Sequence, residues 1–169
     1  MHPSLRASAL LLPLLLACAA AWAKSSDRNQ DMIIDAGHQN GSYEGNSKIV
    51  LSKGVTVTQG TLDIRSSTGE IFMNNGEISR AVFTGNQVKL KQQMDDGSWM
   101  DATADRVEYD MTSETITFIG NYTVKSPRGS NSGQKMVYNT KTGNMESGGD
   151  GTRVRTVIKP KSAQPQGSK

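Results

Sequence analysis

The chain has 169 residues, and its first 23 hold seven of the ten leucines, one base (Arg6) and no carboxylate. The other 146 carry 18 bases against 16 acids, a net of +2, too weak for bulk attraction to nucleic acid. Cys18 is the only cysteine and, with His2, falls in that leader, leaving His38 as the sole later imidazole. Disulfides, cysteine nucleophiles, most zinc sites and paired-histidine chemistry are thereby excluded from residues 24–169.

Residues 1–23 read as a secretory signal peptide. Arg6 marks the basic start, Ala9 to Ala20 the apolar stretch, and Ala21-Trp22-Ala23 a cleavage site before Lys24. The apolar run is broken by Pro13 and is shorter than the roughly 20 residues that span a bilayer. A second reading uses Leu15-Leu16-Ala17-Cys18 as a lipobox, which would anchor the protein through an acylated Cys18.

The rest of the chain is expected to be one all-β domain. Beyond residue 23 there are 19 Val and Ile against three Leu and five Ala, with 17 Gly scattered as punctuation. Residues 24–31 are polar and expected to stay mobile until a partner or strand captures them. The domain itself is assigned to 32–159 and a disordered tail to 160–169.

In chain order, Met32-Ile33-Ile34 is the first apolar run. Ile49, Leu51, Val55 and Val57 share one parity, Val50, Ser52, Thr56 and Thr58 the other. Gly60 ends that stretch, and Leu62 and Ile64 continue the alternation. Turns are predicted at Ser66-Ser67-Thr68-Gly69, at Asn74-Asn75-Gly76, at Thr84-Gly85-Asn86 and at Asp95-Asp96-Gly97. Val107, Tyr109 and Met111 alternate with polar residues, as do Ile116, Phe118, Gly120, Tyr122 and Val124. A last strand is expected over Arg153 to Ile158. The stretches 48–57 and 115–124 echo each other, each an alternating strand, a glycine and a second alternating strand. Ten or more short strands with glycine corners suit a jelly roll, sandwich or barrel.

No residue cluster points to catalysis. Asp95, Asp96, Asp101 and Asp105 fit turn chemistry better than calcium ligation, which needs oxygens converging from alternate loop positions. His38 sits in a turn-rich segment, and no Gly-x-Ser-x-Gly elbow accompanies it. The chain reads as a protein that is not an enzyme and takes no cofactor and no metal. Phe83, Leu90, Tyr109, Phe118 and Tyr122 form either a filled β core or an incompletely filled interior that takes an acyl chain; periodicity leaves both open. The basic segment 151–161 is either a charge-protected edge strand or a docking strand.

Gly54-Val55-Thr56-Val57-Thr58-Gln59-Gly60, Met94-Asp95-Asp96-Gly97, Ala102-Thr103-Ala104-Asp105 with Tyr109, Phe118-Ile119-Gly120-Asn121 and Thr152-Arg153-Val154-Arg155-Thr156-Val157 carry a resemblance. In this order the chain resembles the OstA-like domain family of periplasmic lipopolysaccharide-transport proteins over about residues 30–160. It departs from the usual pattern at Lys53-Gly54, where Gly-Asn is common, and at Leu90, where an aromatic is common.

The resemblance implies an open, slightly twisted antiparallel β-jelly roll, V-shaped, without catalytic activity, in the periplasm of a Gram-negative bacterium. It implies that lipopolysaccharide slides along the interior with its lipid A acyl chains shielded, and that copies join head to tail. The partners implied are an LptC-like inner-membrane subunit and an LptD-like outer-membrane translocon, with no nucleic acid. The interior set is Met32, Ile34, Leu51, Leu90, Tyr109, Met111, Phe118 and Tyr122. The docking edges are Ile33 at one end and Arg153, Val154, Arg155 and Ile158 at the other. The alternative is a structural periplasmic filament or adaptor without lipid binding.

Overall fold

The computed structural model describes residues 25–160. The expected signal peptide, Cys18 and nearly all of the expected tail lie outside the described residues. The sheet starts at Met32 and ends at Ile158, in ten antiparallel strands. These are β1 (Met32–Gly41), β2 (Lys48–Gln59), β3 (Leu62–Ser66), β4 (Thr68–Asn74), β5 (Glu77–Gln93), β6 (Trp99–Asp110), β7 (Thr115–Ser126), β8 (Gly129–Asn139), β9 (Met145–Ser147) and β10 (Arg155–Ile158). Their order is β1-β2-β3-β5-β6-β7-β8-β10, with β4 beside β2 and β5 and β9 beside β8. This is the all-β domain that the composition predicts, in the open jelly-roll form that the family resemblance implies.

The strands are longer than the glycine punctuation suggests, because several glycines bend a strand and do not end it. β5 runs unbroken for 17 residues through the turn expected at Thr84-Gly85-Asn86. There its register against β6 slips between Thr84 and Val88, and Gln87 takes a positive φ of 66°. Ser66–Gly69 does not reverse the chain either: β3 and β4 lie end to end, both paired with β2 and with β5. A β-bulge adds residues to one strand of a pair and sharpens its bend without breaking the ladder on either side.

These irregularities line up across neighbouring strands. Register slips or positive φ angles occur between Ala36 and His38 in β1, at Lys53-Gly54 in β2 and between Thr84 and Val88 in β5. The line continues between Thr103 and Arg106 in β6 and between Ile119 and Tyr122 in β7. The result is a crease that crosses the strands and divides the sheet into a first half, holding β3 and β10, and a second half, holding β4 and β9. The echo between 48–57 and 115–124 has its physical meaning here. Lys53 and Gly54 have φ of 63° and 83°, and Gly120 and Asn121 have 77° and 46°.

Side chains at the crease enforce the bend. At Gly120 a Cβ would lie 2.6 Å from Asp105 Oδ2, and at Gly85 it would lie 2.8 Å from Ser67 Oγ. Asn121 Nδ2 donates to Asp105 Oδ2 at 2.8 Å, and Gln134 Nε2 donates to Asn121 Oδ1 at 3.1 Å. This polar ladder stitches β6, β7 and β8 where their backbone pairing lapses.

Folding along the crease buries one parity of both halves in a single apolar core. Ile49, Leu51, Val57, Ile64, Ile71, Phe83, Leu90, Val107, Phe118 and Tyr122 are all buried within it. The intervening residues (Val50, Thr56, Arg65, Lys89, Thr117) face outward, as period-two alternation requires. Leu51 and Leu90 hold the inward register despite departing from the family pattern nearby.

Two terminal segments differ from expectation. In the polar stretch 24–31, Ser25–Asn29 form a 3-10 turn whose buried Asp27 carboxylate accepts a hydrogen bond from the Thr61 hydroxyl. Gln59 Nε2 donates to Gln30 O at 3.1 Å, so the β2–β3 hairpin itself captures this segment. At the other end, Arg153 and Val154 precede the last strand and do not belong to it. The adjacent part of β8 is already occupied by β9, through Met136–Ser147 to Tyr138–Met145, and Gly148 N donates to Lys135 O. Only Arg155–Ile158 finds a free stretch of β8, at Ser132–Gly129.

Gly120→Ala is expected to destabilise the fold by about 2–3 kcal/mol, through the left-handed backbone and the contact with Asp105. Gly45 has φ of 59° but open space where a Cβ would stand, and Gly45→Ala is expected to cost about 1 kcal/mol. Urea titrations of both variants measure the difference. Asp27→Ala, which leaves the Thr61 hydroxyl without its acceptor, is expected to cost about 1–2 kcal/mol by the same measurement.

Candidate functional site

The core is closed at its middle and loosens toward both edge strands. Among the expected interior residues, Leu51, Leu90, Phe118 and Tyr122 are fully enclosed, and Tyr109 is also buried. Met32 and Ile34 on β1 and Met111, just past the end of β6, are half-buried and pack against that core. The structure thus brings the whole set onto one connected interior face. Beyond Ala36 the inward side of β1 is open, since Gln39 and Gly41, paired with buried Leu51 and Ile49, are themselves exposed.

At the opposite edge the two halves part into a cleft of about 310 Å³. Met94, Met100, Val124 and Ile158 line it from the first half, and Tyr138 and Met145 from the second. Ile158 is 82% exposed and Met145 57%, so the apolar lining continues out onto the sheet edge. Three methionines suit a wall that must fit a flexible apolar occupant, because an unbranched thioether side chain adapts its shape. These residues escape a motif-based reading. Met100, Val124 and Tyr138 carry the inward parity, but Met94 and Met145 lie beside turns where no period applies.

Polar side chains hold the mouth of the cleft in place. The Asp96 carboxylate accepts from Ser98 Oγ at 2.6 Å and from Ser98 N at 3.0 Å, and Arg128 Nη2 lies 3.6 Å away. The Ser98 hydroxyl and amide, then Arg128, hold the Asp96 carboxyl below the usual carboxylate range. A depressed carboxylate supports the fold above its unfolded pKa near 4, and that support is lost as pH falls through the lower folded value. The ionised carboxylate thus braces this turn at neutral pH.

Asn131 couples the cleft to the last strand. Tyr122 Oη donates to Asn131 Oδ1, and Asn131 Nδ2 donates to Thr156 Oγ1 at 2.9 Å. A buried core tyrosine is in this way tied to β10 through one amide.

The expected docking residues sit at the two ends of the strand order. Ile33 is 57% exposed on edge strand β1, while Arg155 and Ile158 are exposed on edge strand β10. Arg153 and Val154 stand in the loop leading to β10. Asp95, Asp96, Asp101 and Asp105 are spread over a turn, the outer face and the crease. Among the described residues no cluster of three or more His, Cys, Asp or Glu is placed to hold a metal.

Comparison with known proteins agrees with this architecture. The family model described as LptA/(LptD N-terminal domain) LPS transport protein matches residues 33–144. The chain is 28% identical over 158 residues to the lipopolysaccharide export system protein LptA of Haemophilus influenzae, covering 91% of each. It is 27% identical over 159 residues to the protein of the same name from Escherichia coli K12, covering 92% of this chain and 85% of that one. The crystal structure of LptH, described as the LptA-homologous periplasmic component of the lipopolysaccharide transport device of Pseudomonas aeruginosa, superposes with a TM-score of 0.71. That match is 22% identical and covers 80% of this chain and 99% of LptH. With residues 33–144 of the 169 matched by the family model, the chain belongs to the LptA/LptD N-terminal domain family of LPS transport proteins.

Proposed function

We propose that this protein is a periplasmic carrier of lipopolysaccharide, exported by a signal peptide cleaved after Ala23. Lipid A acyl chains enter between the two halves of the creased sheet, along Met32, Ile34, Leu51, Leu90, Tyr109, Met111, Phe118 and Tyr122. The observation that carries this reading is the apolar interior, closed at its middle and open at both edge strands. Each CH₂ sheltered from water is worth about 0.8 kcal/mol, so an acyl chain cannot cross an aqueous space unprotected. The cleft of about 310 Å³ lies at the small end of ligand pockets, roughly 300–1,000 Å³. Several acyl chains therefore require the halves to move apart.

Edge strands β1 and β10 support end-to-end joining. Each offers unpaired backbone groups, which a second copy can pair. Because the two edges differ, the contact is head to tail and does not close on itself. Ile33 lies at one edge and Arg155 and Ile158 at the other, with Arg153 and Val154 leading into it. An LptC-like inner-membrane subunit and an LptD-like outer-membrane translocon are the expected neighbours at the ends of such a bridge.

The sealed middle of the core favours one second reading, a filament or adaptor that binds no lipid. Photo-crosslinking to lipopolysaccharide separates the two. Probes at Val124 in the cleft and at Phe118 in the closed middle are expected to label, while an outward probe at Thr117 stays blank. Labelling at Val124 alone would confine the lipid to the mouth. Blank probes at both inward positions would leave the adaptor. For assembly, Ile33→Asp and Ile158→Asp each place a charge on an edge strand and are expected to abolish concentration-dependent oligomers in light scattering, with little change in thermal midpoint.

A further inference from the structure

The outward face of the first half carries two unbroken cross-strand rows. One runs Arg65-Lys89-Thr103-Thr123-Ser132-Arg155 and the other Asp63-Lys91-Asp101-Lys125-Ser130-Val157, each step an observed register pair from β3 to β10. Five strand spacings make each row about 24 Å long. Residues 25–160 hold 15 bases and 16 acids, a net of −1, yet this face has five bases against Asp63 and Asp101, a net of +3.

Of these five bases only Arg65 is paired, its guanidinium donating to Asp63 at 2.9 and 3.0 Å. Lys89, Lys91, Lys125 and Arg155 form no ion pair among the described residues. Across the crease, Lys48 pairs with Glu70 at 2.8 Å and Arg106 with Glu108 at 2.8 Å, and Arg80 reaches Glu108 at 4.0 Å. Between the two rows lies a shallow depression of about 270 Å³ bordered by Arg65, Lys89, Lys91, Asp101 and Thr103. At its rim Trp99 is 42% exposed, with Lys91 Nζ 4.8 Å from the ring centroid.

We infer that this outer face binds a phosphorylated saccharide. Lys89, Lys91 and Lys125 meet the phosphates through charge-assisted hydrogen bonds. Thr103, Thr123 and Ser132 exchange hydrogen bonds with ring hydroxyls, and Asp101 accepts from them. Trp99 offers an amphipathic ring for the apolar face of a sugar. The composition of the face argues against a bilayer as occupant. Trp99 and Val157 stand apart at its margins, too few to form the apolar face that an interfacial element buries. This surface is separate from the interior, and its role stands whether or not acyl chains enter there.

The test titrates the purified mature protein with deacylated, phosphorylated lipopolysaccharide oligosaccharide. Parallel titrations use the same oligosaccharide after dephosphorylation and vesicles of phosphatidylcholine and phosphatidylglycerol. Saturable binding is expected, with amide shifts concentrated in the first-half segments of β3, β5, β6, β7 and β8 and weakening with added salt. Dephosphorylation and the double variant Lys89→Gln/Lys125→Gln are each expected to weaken it about tenfold or more. Lys89→Arg, which keeps the charge, stays within about twofold of the parent. Equal binding of the dephosphorylated sugar, indifference to the double variant, or binding to vesicles alone would each overturn the inference. Because the ligand has no acyl chains, none of these results bears on the interior.

Discussion

The crease is the constraint on which everything else rests. Strands as long as β5, with 17 residues, would otherwise form a flat sheet with one apolar face in water. Burial of Leu51, Phe83, Leu90, Phe118 and Tyr122 requires that face to fold onto itself, and only a coordinated bend across neighbouring strands achieves this. The close approach of Gly120 to Asp105 and of Gly85 to Ser67 leaves no room for a side chain at either point. Asn121 then occupies a left-handed conformation, which asparagine tolerates better than most residues, and its amide joins Asp105 and Gln134.

A sheet folded in this way differs from a barrel in one decisive respect: β1 and β10 never meet. Barrels remove their edges by closing, whereas this fold keeps two. The cost is a pair of exposed edge strands with apolar residues such as Ile33 and Ile158 on them. The return is an interior that reaches water at both ends. Both properties come from the same geometry, so a change that sealed the edges would also seal the interior.

Much of this was legible in residue order. Period-two alternation placed Ile49, Leu51, Val55 and Val57, and later Ile116, Phe118, Tyr122 and Val124, on the inward face, where burial puts them. Alternation survives because a bulge of two residues preserves parity on both sides of Lys53-Gly54 and of Gly120-Asn121. What sequence could not separate was a glycine that reverses the chain from one that bends it. Asn75-Gly76 closes a hairpin, whereas Gly85 lies inside β5, and the difference depends on which strand arrives alongside. Capture of Asp27 by Thr61, and displacement of Arg153 and Val154 from the last strand by β9, are likewise long-range events without a local signature. The cleft was hidden for the same reason, since Met94 and Met145 come together only after the sheet folds.

The sealed middle of the core fits a carrier better than its tightness first suggests. Parting the halves exposes Leu51, Leu90 and Phe118 to whatever enters, and an acyl chain is as apolar as the side chains it displaces. Lipid then takes the place of the opposite half against these side chains, so the net change is far smaller than exposure of the same area to water at about 25 cal/mol per Å². In the proposed carrier, the halves close on each other without lipid and protect the core; with lipid they would exchange one apolar partner for another. Such an exchange would give the modest affinity per subunit that passage along the proposed chain of subunits demands. No energy source is needed within the groove, provided that a driven step elsewhere supplies direction.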